Sequence, residues 1–167
     1  MASSDPTRTP GRLAPLRALL ADLDAQIAQV YKARGLHRVR PRYAYPLIRL
    51  AHAGPSSVRE LAESLGHTHS AVSQTLAALR REGLVTSEPG PDARTRRIAL
   101  TERGRALVPF LEAEWRATEA AVAELDDECL PTSLGAAVEA MRTALARRGL
   151  QDRIADRLGD LSPPPAG

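Results

Sequence analysis

Apolar positions recur at helical spacing over the first third of the chain. One stripe predicts a helix over residues 13–34, and a second predicts a helix over about residues 41–53. Pro41 suits a first helical turn, whereas Pro46 is expected to kink the second helix or to delay its start.

Two short helices separated by a tight turn are predicted next. Ser57 and Glu60 form a capping box, in which each side chain bonds the backbone N–H of the other residue. Gly66 ends this helix, and Thr68 caps the next one. The apolar stripe of the second helix consists of Val72, Leu76 and Leu79. This order is typical of a helix-turn-helix, although a generic antiparallel helix pair has the same pattern.

After the second of these helices, the spacing of apolar residues changes from the helical period to that of β-strands. Residues 84–86 and 97–100 are predicted as two strands, and the Pro-Gly-Pro-Asp of residues 89–92 indicates a turn between them. A hairpin directly after a helix-turn-helix is a wing. We therefore predict a mainly α fold that contains a winged helix-turn-helix with a β-hairpin wing.

Three further helices are predicted after the wing. Thr101 caps a long helix that continues to about residue 128, and Pro109 inside it is expected to bend it near Arg105. Two shorter amphipathic segments follow, over about residues 134–145 and 154–161.

Composition excludes several classes of protein. Aromatic residues make up only 3% of the 167 residues, too few for the base-stacking platforms that bind single-stranded nucleic acid. No apolar run approaches the ~18 residues that a membrane span needs, and no signal peptide is visible. Cys129 is the single cysteine, which excludes an intrachain disulfide and fits a reducing compartment. We therefore expect a cytoplasmic protein with no membrane partner.

The net charge of +3 conceals an uneven distribution. Residues 1–111 carry 17 basic and 9 acidic side chains, whereas residues 112–139 carry one basic and eight acidic side chains. This separation favours a nucleic-acid partner for the basic part. Of the 23 basic residues 22 are Arg, a bias that codon composition explains equally well.

Two further features are candidate sites, a histidine pair for a metal ion and the single cysteine for redox chemistry, and neither is complete. His67 and His69 could ligate a metal ion, yet no further ligands cluster near them in the sequence. Cys129 follows three acidic residues, whose charges disfavour a reactive thiolate. No catalytic series and no phosphate-binding glycine loop is present, so we predict no enzyme, no metal site and no cofactor.

Five segments, in this order, resemble the MarR family of winged-helix transcriptional regulators. They are residues 57–66, 70–74, 82–85, 92–94 and 100–107. The Asp-x-Arg of residues 92–94 and the Leu-Thr-Glu-x-Gly that starts at residue 100 are the most distinctive. The resemblance implies a homodimer built from the terminal helices, double-stranded DNA as the partner and, in many members, release of DNA when a small molecule binds.

The resulting organisation has five parts. We predict a disordered tail over residues 1–10, an N-terminal dimerisation helix over 11–40, the winged helix-turn-helix DNA-binding domain over 41–105, C-terminal dimerisation helices over 106–161 and a disordered tail over 162–167.

Side chains opposite the buried stripe of the second helix are the candidates for reading DNA in the major groove. They are His69, Ser70, Ser73, Gln74 and Arg81. Gln74 can make paired hydrogen bonds to adenine, whereas Arg81, near the helix end, better suits a phosphate. A solvated helix face is the alternative for each of them.

The wing adds three candidates. The resemblance implies that Arg94 enters the minor groove and that Asp92 holds the turn and orients Arg94. An Arg in a narrow minor groove reads groove width more than base identity. Arg96 is the third candidate, and for it cross-strand pairing on a solvated hairpin is the alternative.

A pocket for a small-molecule effector is also implied by the resemblance. Its candidate walls are His37, Tyr43, Tyr45, His52 and Trp115, and core packing is the alternative for each one. Several Arg residues within 34–49 would suit either an anionic ligand or DNA phosphates.

These observations predict a homodimeric, sequence-specific regulator, a repressor acting on a palindromic promoter site. The alternative is a winged-helix module that binds proteins and does not bind specific DNA. Salt-dependent binding to duplex DNA distinguishes the two.

Overall fold

The computed structural model describes residues 5–90 and 96–158, and these are mainly helical. The helices are α1 (Ala14–Ala33), α2 (Ala44–Ala53), α3 (Val58–Leu65), α4 (His69–Arg81), α5 (Glu102–Glu128), α6 (Leu134–Arg147) and α7 (Leu150–Leu158), and the strands are β1 (Val85–Pro89) and β2 (Arg96–Leu100). The predicted fold class, a mainly α winged helix-turn-helix, is confirmed.

Element boundaries differ from the sequence prediction at α2, at β1 and at α7, which covers Leu150–Leu158 where residues 154–161 were predicted. A 3-10 turn over Pro41–Tyr43 precedes α2, which begins at Ala44. Pro46 therefore lies in the first helical turn, where its missing N–H costs no hydrogen bond. Strand β1 extends to Pro89, which the sequence placed in the turn. At the end of a two-stranded hairpin a proline leaves the ladder intact.

The chain divides into two compact units, Met1–Thr118 and Glu119–Gly167, with the boundary inside α5. The core of the first unit is contributed by helices α1 to α5 and by the start of the hairpin. Its largest fully buried side chains are Tyr31, Leu47, Leu61, Leu76, Leu79, Leu84 and Leu111. The helix-turn-helix thereby shares one hydrophobic core with α1, α2 and α5.

The wing is an antiparallel hairpin that is anchored to the start of α3. Its register runs from Val85 opposite Leu100 to Pro89 opposite Arg96. Ser56 extends this ladder by one residue, because its N–H donates to the Ile98 carbonyl at 3.0 Å and its carbonyl accepts from the Ile98 N–H at 2.7 Å. The position of β2 is therefore tied to the segment that leads into α3.

In the second unit, α6 and α7 bury none of their residues. Asp126 caps α6, since its carboxylate accepts hydrogen bonds from the Leu134 N–H at 2.7 Å and the Ser133 hydroxyl at 2.9 Å. The exposed apolar side chains of α6 and α7 are Leu134, Val138, Met141, Leu145, Leu150, Ile154 and Leu158. No helix among the described residues is long and apolar enough to cross a membrane.

Candidate nucleic-acid interface

Local hydrogen bonds fix the helix-turn-helix. The Ser57 N–H donates to Glu60 Oε2 at 2.7 Å, and the Glu60 N–H donates to Ser57 Oγ at 3.2 Å, which completes the predicted capping box. The bond from the Ser57 backbone lowers the pKa of Glu60. Gly66 ends α3 with φ of 63°, a left-handed conformation that favours glycine. Thr68 then caps α4 by accepting from the Ala71 N–H at 3.3 Å.

One side of α4 is buried and the other carries polar groups. Val72, Leu76 and Leu79 are each less than 5% exposed, as their spacing predicted. The predicted DNA-reading residues are all exposed on this helix. They are His69, Ser70, Ser73, Gln74 and Arg81. A helix with one anchored face and one row of short polar side chains has the shape that a major groove accepts.

Arg96 and Arg97 on β2 have different partners. The exposed Arg96 donates to the Ser87 hydroxyl at 3.1 Å and to the Ser87 carbonyl at 3.3 Å, the cross-strand pairing that the sequence left open. Arg97 donates to Glu60 Oε2 at 3.4 Å, so it connects the wing to the capping box of α3. Asp92 and Arg94, predicted at the wing tip, lie outside the described residues.

The start of α5 is held against the end of α4. The Thr101 hydroxyl donates to the Gly83 carbonyl at 2.7 Å and accepts from the Gly104 N–H at 3.0 Å. Gly104 packs so closely that a Cβ built on it would overlap the Leu84 carbonyl oxygen. The glycine of the Leu-Thr-Glu-x-Gly motif is therefore required by a close approach between helix and backbone, a reason that the sequence did not show.

Three of the five predicted effector residues line one cavity. Tyr45, His52 and Trp115, together with Ile48, Arg49 and Leu65, enclose a volume of about 300 Å³, which we call the Trp115 cavity. The Trp115 ring meets the Tyr45 ring edge-on, with centroids 4.9 Å apart, and His52 Nε2 lies 2.7 Å from Glu112 Oε1. His37 is exposed and does not line this cavity, whereas Tyr43 is a buried core residue.

A second cavity of about 290 Å³ lies alongside α4. We call it the α2–α4 groove, and its lining residues are Arg42, Tyr45, Pro46, Leu65, His67, Ala71, Val72, Gln74 and Thr75. The 3-10 turn that carries Arg42 packs against α4, which is why an Arg before α2 shares a surface with Gln74. The sequence showed the Arg-rich segment but not which of its side chains face α4.

The remaining candidate groups are separate from one another. His67 Nδ1 lies 2.6 Å from the Leu65 carbonyl, and its ring centroid lies 6.2 Å from that of Tyr45. Within residues 5–90 and 96–158, no three His, Cys, Asp or Glu side chains are grouped as metal ligands. Cys129 is exposed.

Residues 40–97 match the model of the MarR family, over the second helix, the helix-turn-helix and the wing. Over this segment the chain is similar to the MarR family. No curated protein sequence matches the chain.

Solved structures with the MarR winged-helix fold are similar over most of the chain. A MarR family transcriptional regulator from Silicibacter pomeroyi DSS-3 is 28% identical, with 82% of this chain and 94% of that chain covered and a TM-score of 0.53. S. aureus MepR, solved with DNA, is 18% identical over 83% of this chain and 98% of its own, with a TM-score of 0.60. M. tuberculosis MOSR, also solved with DNA, is 24% identical over 89% and 99%, with a TM-score of 0.55.

Proposed function

We propose that the protein is a homodimeric repressor that binds a specific double-stranded DNA sequence through α4 and the wing. The observation that carries this proposal is the exposed polar face of α4, on a helix whose opposite face is anchored in the core. Fold neighbours solved with DNA, MepR and MOSR among them, support the same use of the fold. Its place of action is the cytoplasm, and repression follows because a promoter-bound dimer covers polymerase sites.

Apolar side chains that the single chain leaves exposed support the dimer. On α6, Leu134, Val138, Met141 and Leu145 form one stripe at helical spacing, and all are more than 40% exposed. Exposed Leu residues on α1 add a similar surface. Apolar faces of this extent mark interfaces, and a second copy of the chain supplies an identical face to cover them.

A two-fold dimer presents two copies of α4 to DNA. In helix-turn-helix dimers the two reading helices lie about one duplex turn apart, roughly 34 Å, so the target is a palindromic promoter site. Gln74 is assigned to base reading, with Ser70, Ser73 and His69 beside it. Arg81 and Arg96 are assigned to phosphates. Arg94 is assigned to the minor groove, and Asp92 to holding the wing turn that orients Arg94.

Effector control is assigned to the Trp115 cavity. Its walls combine the aromatic rings of Tyr45 and Trp115 with the basic side chains of Arg49 and His52. Because Tyr45 also lines the α2–α4 groove, a molecule bound beside Trp115 would contact a ring that borders the reading helix. Trp115 is the single tryptophan, so its fluorescence reports directly on occupancy of this cavity.

Titration of the full-length protein with duplexes from the DNA upstream of its own gene tests the proposal. We expect tight binding to one duplex, weaker binding to a shuffled duplex, and loss of affinity as salt increases. Equal competition by random DNA would contradict specific regulation and favour the protein-interaction module. Sedimentation of the free protein at micromolar concentration should show a dimer, and a monomer would contradict the dimeric part.

A further inference from the structure

The α2–α4 groove places positive charge directly beside the residue assigned to base reading. Arg42 and Gln74 both line it, and no carboxylate is among its lining residues in the described part of the chain. The Arg42 side chain is exposed, with its guanidinium carbon 5.9 Å from the Tyr43 ring centroid. Within residues 5–90 and 96–158, no acidic side chain forms an ion pair with Arg42.

His67 adds a second nitrogen donor to the same groove, under a condition set by its neighbour. A backbone carbonyl can only accept a hydrogen bond, so Nδ1, 2.6 Å from the Leu65 carbonyl, carries the ring proton and donates it. Nε2 is then a donor only when the ring is protonated. The charged and titratable groups that share the groove with His67 are Arg42, from the turn before α2, and Tyr45, from α2.

We propose that a backbone phosphate of the bound duplex occupies the α2–α4 groove, held by the Arg42 guanidinium and, when His67 is protonated, by His67 Nε2. This inference rests on the proposed function. A helix that reads base edges lies between two sugar-phosphate strands, and contacts to those strands fix its register. Arg42 stands beside α4 on a neighbouring element, where it can contact the flanking strand while Gln74 contacts a base.

Salt dependence of duplex binding tests the Arg42 contact. Each phosphate neutralised by a cation contributes about 0.9 to the slope of log affinity against log salt. Because the proposed dimer carries two copies of Arg42, Arg42→Ala should lower the slope by about twice that amount and weaken specific and shuffled duplexes alike, by roughly five- to tenfold at 0.1 M salt. Arg42→Lys should retain the slope. The control Arg142→Ala removes the same charge from α6, outside the groove, and should leave the slope unchanged.

The pH dependence of binding tests His67. A phosphate at Nε2 favours the protonated ring, so duplex affinity should rise about two- to fivefold from pH 8 to pH 6. His67→Ala should remove that increase. His37→Ala is the control, since His37 is exposed and does not line the groove, and it should keep the increase.

The outcomes separate this inference from the function on which it rests. If the wild type fails to bind any duplex specifically, the proposed function fails and the groove assignment fails with it. If the wild type binds specifically but Arg42→Ala keeps the wild-type slope, the groove assignment alone is wrong. If Arg42→Ala keeps the wild-type slope but abolishes thermal stabilisation of the DNA-free protein by millimolar inorganic phosphate, the groove is a site for a free anion and not for the duplex.

Discussion

The Tyr31 hydroxyl donates a 2.7 Å hydrogen bond to Glu114 Oε2 from a fully buried ring. The other carboxylate oxygen of Glu114 accepts from the Thr118 hydroxyl at 2.6 Å, and the Phe110 ring meets Tyr31 edge-on with centroids 5.5 Å apart. These contacts join α1 to α5 inside the first unit.

Removal of the Tyr31 hydroxyl should destabilise the fold. In Tyr31→Phe the partly buried carboxylate loses a donor, and we expect the free energy of unfolding to fall by about 1–3 kcal/mol in urea denaturation. Adding Glu114→Ala should then cost less than it does in the wild type, because the bond is already lost. A Tyr31→Phe protein as stable as the wild type would show that the bond contributes nothing.

The same contact predicts a loss of stability in alkali. Burial, together with the hydrogen bond to Glu114, raises the pKa of the Tyr31 phenol far above its usual value. The stabilisation is therefore fully present below about pH 10, where the phenol of the unfolded chain is still neutral, and is lost progressively above it. Urea denaturation from about pH 8 to pH 11 should show a steeper decline for the wild type than for Tyr31→Phe. Parallel curves would contradict the assignment.

Gly104→Ala should disrupt the contact between α5 and the start of the wing. The added methyl would overlap the Leu84 carbonyl oxygen, so the backbone must shift, and we expect a cost of about 1–3 kcal/mol. Gly135→Ala is a matched control on α6, since its Cβ would meet the Ser133 hydroxyl at 3.6 Å, an ordinary contact. Gly135 is in the first turn of α6, and its added methyl meets no close contact, so that control should not lose stability. If the two substitutions changed the midpoint of thermal unfolding equally, the close contact between Gly104 and the Leu84 carbonyl would not be what requires a glycine.

Gln74→Ala should relax base preference while leaving general DNA binding in place. A paired hydrogen bond to one base discriminates by about 1–3 kcal/mol, and the loss should fall at one position of each half-site. Binding to a set of single-base variants of the operator measures this. Gln151→Ala, the same substitution on the exposed surface of α7, should change nothing. An unchanged preference in Gln74→Ala would remove Gln74 from the reading face.

A charge within the apolar stripe of α6 should separate the proposed dimer. Met141 is 57% exposed in the single chain, and a buried glutamate at its position would lack a partner. Met141→Glu should therefore sediment as a monomer at about 10 μM, whereas Thr143→Glu, on the other side of the helix, should remain a dimer. If Met141→Glu remained a dimer, the apolar stripe of α6 would not be the dimer interface.

The helix caps and the buried stripe of α4 were predictable from the sequence, because the residues that form each of them are only three or four positions apart. Ser57, Thr68 and Thr101 cap the helices that the sequence assigned to them, and the α4 stripe follows from helical period alone. The Tyr31–Glu114 bond was not predictable, because its partners are 83 positions apart. For the same reason the sequence could not show that Arg42 shares a groove with Gln74, since that requires the turn before α2 to pack on α4.

Thr101 connects the start of α5 to the residues that follow α4. Its single hydroxyl bonds both the Gly83 carbonyl after α4 and the Gly104 N–H in the first turn of α5, while its own N–H bonds the Leu84 carbonyl. Moving one helix end without the other would break these bonds, at about 1 kcal/mol each. The end of α4 and the first turn of α5 are therefore held together by Thr101, so a displacement of that turn is opposed by its bonds to the residues that follow α4.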